Sequence, residues 1–229
     1  MKRLLWRLVL ITITLGILYQ GWLFAHVCWW IDHNPSRSAF MSARLADLRD
    51  GDPEAELHHR WVPYERISRN LKRSVMASED AKFLLHDGFD WEGMQTAWEK
   101  NLKKGRIVAG GSTISQQLAK NLFLSGKRTP WRKGEEAIIT FMLEKMMSKR
   151  RIFEIYLNVI EWGDGVFGAE AAARHYFRKP ASALTASEAA RLAAMVPNPR
   201  YYDKHRSTRY LERRTRIITR RMHYVRPPR

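Results

Sequence analysis

Apolar residues are distributed along the chain in two ways, as one uninterrupted N-terminal run and as a long region with helical spacing. Residues 8–30 form a run of 23 residues without Asp, Glu, Lys or Arg. Between residues 67 and 202, apolar positions recur every three or four residues and few stretches alternate with period two. One example of this spacing is Ile139, Met142, Leu143 and Met146. The pattern predicts an all-α domain that follows one apolar helix.

The N-terminal run has the length and the flanks of a membrane-spanning helix. As a helix it rises about 35 Å, enough to cross a hydrocarbon core of about 30 Å. Lys2, Arg3 and Arg7 precede it, and basic flanks stay on the cytoplasmic side. A cleaved signal peptide is the alternative, but the run is long for a signal and no A-x-A cleavage site is evident. We therefore expect residues 1–30 to be a single-pass anchor in the cytoplasmic (inner) membrane, with the N-terminus in the cytoplasm and the domain outside it.

The composition is that of one compact domain. The chain has 229 residues, and a hydrophobic content of 45% excludes a disordered protein. No collagen period or longer repeat is present, which excludes solenoids and propellers. Cys28 is the single cysteine, so the chain has neither an internal disulfide nor a cysteine-based zinc cluster.

Residues 31–60 mix Pro, Gly and charges without a sustained period of apolar positions. We therefore expect a linker there, before a domain at 61–205.

About half of the net charge of +17 lies near the C-terminus, where residues 200–229 carry eleven Lys or Arg against Asp203 and Glu212. Nucleic-acid binding is not expected, because no recognition motif accompanies the charge and the predicted topology places it outside the cytoplasm. A solvated helix face around residues 213–221 is one interpretation. We favour a basic tail at 206–229 that lies against anionic headgroups, each cation adding about 1 kcal/mol near the surface.

Residues 78–93 carry the first candidate chemistry. Glu79 and Asp80 are adjacent carboxylates, and on a helix only one of them can face a given cleft. Phe83 and His86 follow at i+4 and i+7, on the same helical face as Glu79. An aromatic ring and an imidazole beside a carboxylate suit a general base, although a surface glutamate and a structural histidine are the commoner outcomes.

The second candidate is the sequence from Gly110 to Asn121. Ser112 or Thr113 is positioned to cap a helix, and Thr113 with Gln116 fits a capping box. A polar stripe runs along one face of this helix and consists of Thr113, Gln116, Gln117 and Lys120. Amides suit sugar hydroxyls and a lysine suits a phosphate, whereas a solvated face is the alternative. The phosphate-loop pattern G-x-x-x-x-G-K-[ST] is absent.

The third candidate combines cations with a carboxylate. Arg128, Arg132 and Lys133 precede Glu136, which we expect to open the helix that continues through Ile139. First-turn acids that favour the helix dipole are the ordinary explanation. Together with Glu79 and Lys120, however, this set supplies a base for an acceptor hydroxyl and positive charge for a departing diphosphate.

Five ordered motifs carry a specific family resemblance. They are EDAKFLLHDG, GGSTISQQLAKN, RKGEE, RRIFEIYLN, and GAEAAARHYF with SEAARLAAMVPNPRYY. Over residues 61–205 they resemble the peptidoglycan glycosyltransferase family. The resemblance implies a lysozyme-like helical domain with a membrane-contacting jaw, and lipid II as the substrate of an inverting transfer to the 4-hydroxyl of the acceptor sugar.

The resemblance also implies roles for individual residues. Glu79 is the general base and Glu136 the second glutamate, on the donor side. The expected substrate-binding residues are Lys120, Arg128, Gln116, Gln117, Ser112, Arg132 and Lys133. The expected architectural residues are Asp80, Phe83, His86, Gly88 and Asn158. Expected jaw residues, within 89–108, are Trp91, Met94, Trp98, Leu102 and Val108.

The resemblance further implies Mg²⁺ or Mn²⁺ bridging the substrate diphosphate, and the sequence shows no dedicated metal ligands for it. Expected partners are lipid II, the growing glycan chain, membrane lipids, and cell-wall synthesis or division proteins. No Ser-x-x-Lys occurs, so transpeptidase activity is not expected. The alternatives are a glycan-cleaving enzyme, which needs a protonated glutamate and no diphosphate clamp, and a non-catalytic membrane scaffold.

Overall fold

The computed structural model describes residues 1–106, 110–124 and 129–229 and is mostly helical there, which confirms the predicted fold class. The helices are α1 (Lys2–Trp29), α2 (Ala39–Arg49), α3 (Arg69–Glu79), α4 (Trp91–Lys104), α5 (Ile114–Phe123), α6 (Pro130–Met146), α7 (Lys149–Val159), α8 (Ala169–Phe177), α9 (Ala186–Met195), α10 (Pro199–Lys204) and α11 (Arg209–Arg221). The strands are β1 (His58–His59), β2 (Glu161–Gly163) and β3 (Val166–Phe167), in the order β1-β3-β2 with β1 parallel and β2 antiparallel to β3.

Side-chain caps define where the helices around the core begin. Hydroxyls of the residue before the helix accept a hydrogen bond from the third backbone N–H in α3, α5, α6, α7, α9 and α11. The predicted capping box of Thr113 and Gln116 is confirmed at the start of α5. Helix α7 is buried along most of its length, from Ile152 to Val159, and it packs against α5, so it forms the centre of the core.

Helix α1 is long and apolar enough to cross a membrane, in agreement with the predicted anchor. It extends further toward the N-terminus than the apolar run, and only Leu23 and Val27 within it are buried. It packs against α6. At its C-terminal end, the rings of Trp22 and Trp30 lie 6.3 and 5.0 Å from that of Phe123, the last residue of α5. The anchor therefore contacts the domain at α5 and α6.

The segment expected to be a linker contributes to the domain. Residues 31–60 contain α2, whose Met41 and Leu45 are buried, and β1, which pairs with β3. Arg44 of α2 forms an ion pair with Asp164. A pattern with only two buried apolar residues in one short helix is too weak to read in a charged sequence, which explains why the sequence alone favoured a linker.

The basic segment at 206–229, expected to be a separate tail, is also part of the folded domain. Helix α11 buries Leu211, Thr215 and Ile218, which lie at i, i+4 and i+7, and it packs against α9 and α3. Met222 and Val225, which follow it, are buried as well. The cations line the outer face of an amphipathic helix, and the apolar stripe beneath them is what attaches the segment.

Candidate active site

Glu79 is the last residue of α3, and the chain leaves the helix directly after it. Asp80 adopts φ −161° and ψ 81°, and residues 81–88 form turns and bends. The expectation that Phe83 and His86 share a helical face with Glu79 is therefore wrong. The helix ends here because Asp80 is held elsewhere: its Oδ2 accepts a hydrogen bond of 3.0 Å from the backbone N–H of Ile114.

Asp80 and His86 together fix the turn after Glu79. The backbone N–H of Gly88 donates to Nδ1 of His86 at 3.2 Å, which leaves Nε2 to carry the proton. His86 Nε2 lies 3.1 Å from both carboxylate oxygens of Asp80. The structure thus places His86 in the architecture of the turn.

The remaining residues expected to be architectural are buried in the same framework. Phe83 is fully buried, with its ring 5.6 Å from that of Phe153. Gly88 has φ +92°, and a Cβ there would lie 2.8 Å from Cγ2 of Thr140, so the position requires glycine. Asn158 is buried and its amide joins α7 to Val62 through donated and accepted bonds of 3.0 Å.

The Glu79 carboxylate is partly buried and is held on both sides. The hydroxyl of Ser78 donates to Oε1 at 3.0 Å, and Nε2 of Gln117 donates to Oε2 at 3.2 Å. Burial raises the pKa of Glu79 above its ordinary value, and the nearby Asp80 adds to the rise. The bonds from Gln117 and Ser78 and the positive charge of Arg214 act against it. A raised pKa and a fixed carboxylate are properties of a general base that works near neutral pH.

The two glutamines expected to line a polar wall differ in their contacts. Gln116 is buried, and its Oε1 accepts from the backbone N–H of Thr113 at 3.0 Å. Gln117 donates to Glu79 through Nε2 and accepts from the hydroxyl of Tyr156 at 2.9 Å through Oε1. Both ends of Gln117 are therefore used within the protein, and the side chain orients Glu79.

Glu79 faces a cleft of about 240 Å³ between the C-terminal end of α3 and the starts of α4 and α5. The residues that line it are Glu79, Asp80, Ala81, Lys82, Asp90, Gly93, Gly110, Gly111, Ser112 and Thr113. Ser112 also lines a second cavity, of about 210 Å³. The two cavities therefore adjoin at Ser112, and the bond from Gln117 to Glu79 connects them through α5.

The second cavity is lined by cations from two separate sequence motifs, Lys120 from one and Arg132 and Lys133 from the other. Its lining residues are Ser112, Gln116, Gln117, Lys120, Arg132, Lys133 and Glu136. Glu136 is 3% exposed, with the ammonium of Lys133 in contact with it and Nη1 of Arg132 at 3.7 Å. One carboxylate surrounded by several cations leaves a positive charge facing the cavity.

Arg132 carries the clearest sign of a missing ligand. Its Nε and Nη1 are buried, and neither has a hydrogen-bond partner within residues 1–106, 110–124 and 129–229. Buried donors are normally paired, and a phosphate oxygen in the cavity would satisfy them. Arg132 is therefore a candidate for anion binding, together with Lys120 and Lys133 of the same cavity.

Helix α6 begins at a different residue from the one that we expected. Glu136 does not open α6: the helix begins at Pro130, capped by Thr129, which places Glu136 in its second turn. The first-turn dipole explanation for this carboxylate is therefore wrong. Arg128 and Val108 lie outside the described residues.

The expected jaw corresponds in part to α4. Trp91, Trp98 and Leu102 of this helix are 70%, 66% and 63% exposed, and they lie on one face at i, i+7 and i+11. Met94 is partly buried. Large apolar side chains on an exposed helical face are typical of a surface that contacts lipid or protein.

Sequence reasoning missed two residues of this site, Ser78 and Arg214. Arg214 belongs to α11, and its Nη2 donates to the backbone carbonyl of Ser78 at 3.3 Å. The stripe of Leu211, Thr215 and Ile218 was the signal that could have attached this segment to the domain.

Comparison with known proteins identifies the family. A model of the transglycosylase family matches residues 47–223. A biosynthetic peptidoglycan transglycosylase of Methylobacillus flagellatus is 67% identical over 99% of both chains. Those of Laribacter hongkongensis and Chromobacterium violaceum are 69% identical over 94% of this chain and 95% of the relative, and 64% identical over 100% of both. The chain therefore belongs to the transglycosylase family, and the peptidoglycan glycosyltransferase function that the ordered motifs predicted is confirmed.

Proposed function

We propose that this enzyme polymerises lipid II, with Glu79 as the general base and the cation-lined cavity as the site of the donor diphosphate. The observation that supports this proposal is that α5 contacts both Glu79 and the cation-lined cavity. The first turns of α5 hold Glu79 through Gln117, and Lys120 on the same helix lines the cavity that contains Arg132, Lys133 and Glu136. Base and cations thus occupy adjoining cavities, with Ser112 between them.

The reaction is one displacement with inversion. The 4-hydroxyl oxygen of the acceptor sugar attacks the anomeric carbon of the donor, and its proton passes to the Glu79 carboxylate. The bond between that carbon and the phosphate oxygen breaks, and undecaprenyl diphosphate leaves with the electron pair. The leaving group needs no acid, since the cations of the second cavity stabilise its charge. Glu136 holds Arg132 and Lys133 in place.

The resemblance implies a divalent cation that acts on the substrate diphosphate. Among the described residues no group of three or more His, Cys, Asp or Glu side chains is placed to hold a metal ion. Glu136, the carboxylate of the second cavity, is already paired with cations. Any Mg²⁺ or Mn²⁺ would be ligated by the substrate phosphates, and no step above depends on it.

The enzyme works at the surface of the membrane that α1 spans. We assign the N-terminus to the cytoplasm and the domain to the outer side of the cytoplasmic membrane, on the basic flank formed by Lys2, Arg3 and Arg7. The exposed apolar face of α4 is the surface that enters the lipid, as the jaw of this family. Cell-wall synthesis or division proteins are the expected protein partners.

The test of this function is the activity of a Glu79→Gln variant on labelled lipid II in detergent. Removal of a general base costs about 10²- to 10⁴-fold in rate, so the gel should show almost no glycan strands. Glu54→Gln, at an exposed position between α2 and β1, is the matched control and should polymerise normally. Near-parental polymerisation by Glu79→Gln would remove the assignment of the base.

A glycan-cleaving activity is the outcome to exclude, because a raised pKa also suits a glutamate that donates a proton. Incubation with purified sacculi separates the two functions. We expect no released muropeptides, since Arg132 and its neighbours have no use in hydrolysis. Release that requires Glu79 would contradict the proposal.

A further inference from the structure

The end of α3 is an unfavourable place for an ionised carboxylate. The last carbonyls of a helix lack intrahelical donors, and the negative end of the helix dipole lies there. Glu79 occupies this position, beside the like-charged Asp80. Burial, the dipole and Asp80 therefore all favour the protonated form of Glu79, whereas a general base must be ionised before it acts.

Arg214 opposes these three effects from a different part of the chain. Its Nη2 donates to the free backbone carbonyl of Ser78 at 3.3 Å and lies 3.5 Å from the Ser78 hydroxyl. That hydroxyl donates to Oε1 of Glu79 at 3.0 Å. Arg214 thus caps the C-terminus of α3 and is connected to the carboxylate through a single side chain.

We propose that Arg214 is a positioning residue for glycosyl transfer, which holds Ser78 and supplies the positive charge that keeps Glu79 ionised and oriented toward its cleft. This inference rests on the proposed role of Glu79 as the base. It gives the C-terminal basic helix a function in the chemistry, distinct from any contact of its outer face with lipid.

Helix α11 is anchored firmly enough to hold a charge in place. Leu211, Thr215 and Ile218 are buried on either side of Arg214 against α9 and α3. The Nε of Arg214 is itself buried, and no hydrogen-bond partner for it lies in the described part of the chain. The guanidinium is therefore fixed by packing around its stem and by its bonds to Ser78.

Other groups around Glu79 do not substitute for this charge. The Tyr156 hydroxyl, on α7, remains neutral because burial raises its pKa well above the ordinary value. Gln117, on α5, does not titrate. Lys82 lines the same cleft, but its ammonium forms an ion pair of 2.6 Å with Glu92 and lies 4.0 Å from Asp90, so carboxylates already offset its charge. Within the described residues, Arg214 is the cation that lowers the pKa of Glu79.

The test is the pH profile of kcat/KM for lipid II polymerisation by the full chain in detergent. For an Arg214→Gln variant the pKa of Glu79 should rise, so the acidic limb should move to higher pH. A displacement of about one pH unit corresponds to about a tenfold loss on the acidic side. At high pH, where Glu79 is ionised in both proteins, the rates should converge. Arg214→Lys retains the charge and should restore the limb to near its parental position.

Arg216→Gln is the matched control, because Arg216 lies on the exposed face of the same helix. It should leave the profile unchanged. A uniform loss at every pH in Arg214→Gln, with no displacement of the limb, would show a structural role only and overturn the inference. If Glu79→Gln still polymerises, the proposed base fails instead, so the two failures are distinguishable.

Discussion

Burial of the Glu79 carboxylate destabilises the folded state at a pH above the pKa of this group. An acid whose pKa is raised on folding binds its proton more tightly in the folded state, so stability falls as pH rises from the unfolded value through the folded one. The unfolded value is near 4.5. Glu79→Gln keeps the shape and can still accept a hydrogen bond through its amide oxygen.

We therefore expect Glu79→Gln to have a higher Tm than the parent at pH 8 and the same Tm at pH 4. Thermal unfolding of both proteins in detergent at the two pH values measures this. A lower Tm for the variant at pH 8 would mean that the bonds from Ser78 and Gln117 outweigh the cost of burial.

Within the described part of the chain the buried Nε and Nη1 of Arg132 have no hydrogen-bond partner, and this leads to a prediction for substrate binding. Hydrogen bonds to charged groups contribute about 1.5–3 kcal/mol each, so Arg132→Gln should raise the KM for lipid II by at least about tenfold. Lys145→Gln, an exposed lysine near the C-terminus of the same helix, should leave KM unchanged. An unaltered KM in Arg132→Gln, measured by initial rates, would place the diphosphate elsewhere.

At the residue scale, local signals were predictable and long-range ones were not. The capping box of Thr113 and Gln116 is visible because both residues lie within four positions of one another. The hydrogen bond between Gln117 and Glu79 joins α5 to α3. The two residues are 38 positions apart in the sequence, so no local pattern predicts the bond. The same limit explains why the bond from Gln117 to Glu79 was not predicted, whereas Gln117 also lines the second cavity.

Helix α11 shows that a charged segment can be a structural element. Ile218→Ala removes a side chain that is 1% exposed between α11 and its neighbours. Such truncations cost about 2–5 kcal/mol, so Tm should fall by at least about 5 °C. Tyr224→Ala, at an 88% exposed position just after the helix, should change Tm little. Equal melting of parent and Ile218→Ala would support the detached tail that the sequence suggested.

At the scale of elements, periodicity located the helices better than their ends. The predicted stripe through Ile139 and Leu143 belongs to α6 as expected, but α6 begins at Pro130 and α3 ends at Glu79. The end of α3 depends on Asp80 binding the backbone of α5. Helix ends fixed by tertiary contacts of this kind are not evident from propensity.

The whole molecule should meet the membrane through α4 as well as α1. Because Cys28 is the single cysteine, a Cys28→Ser background allows a polarity-sensitive probe at one chosen position. At Trp98→Cys in liposomes we expect the blue-shifted emission of an apolar environment, and at Tyr224→Cys the emission of water. A water-like signal at position 98 would separate α4 from the bilayer.

The contact between Phe123 and the aromatic end of α1 has a consequence for how the substrate reaches the base. Gln117, which holds Glu79, lies six residues before Phe123 on α5, about 9 Å along the axis. With α1 as the proposed anchor, this helical contact rather than a flexible tether would set the level of Glu79 relative to the membrane surface. A donor whose phosphates stay at that level reaches the catalytic carboxylate without drawing its hydrocarbon tail into water.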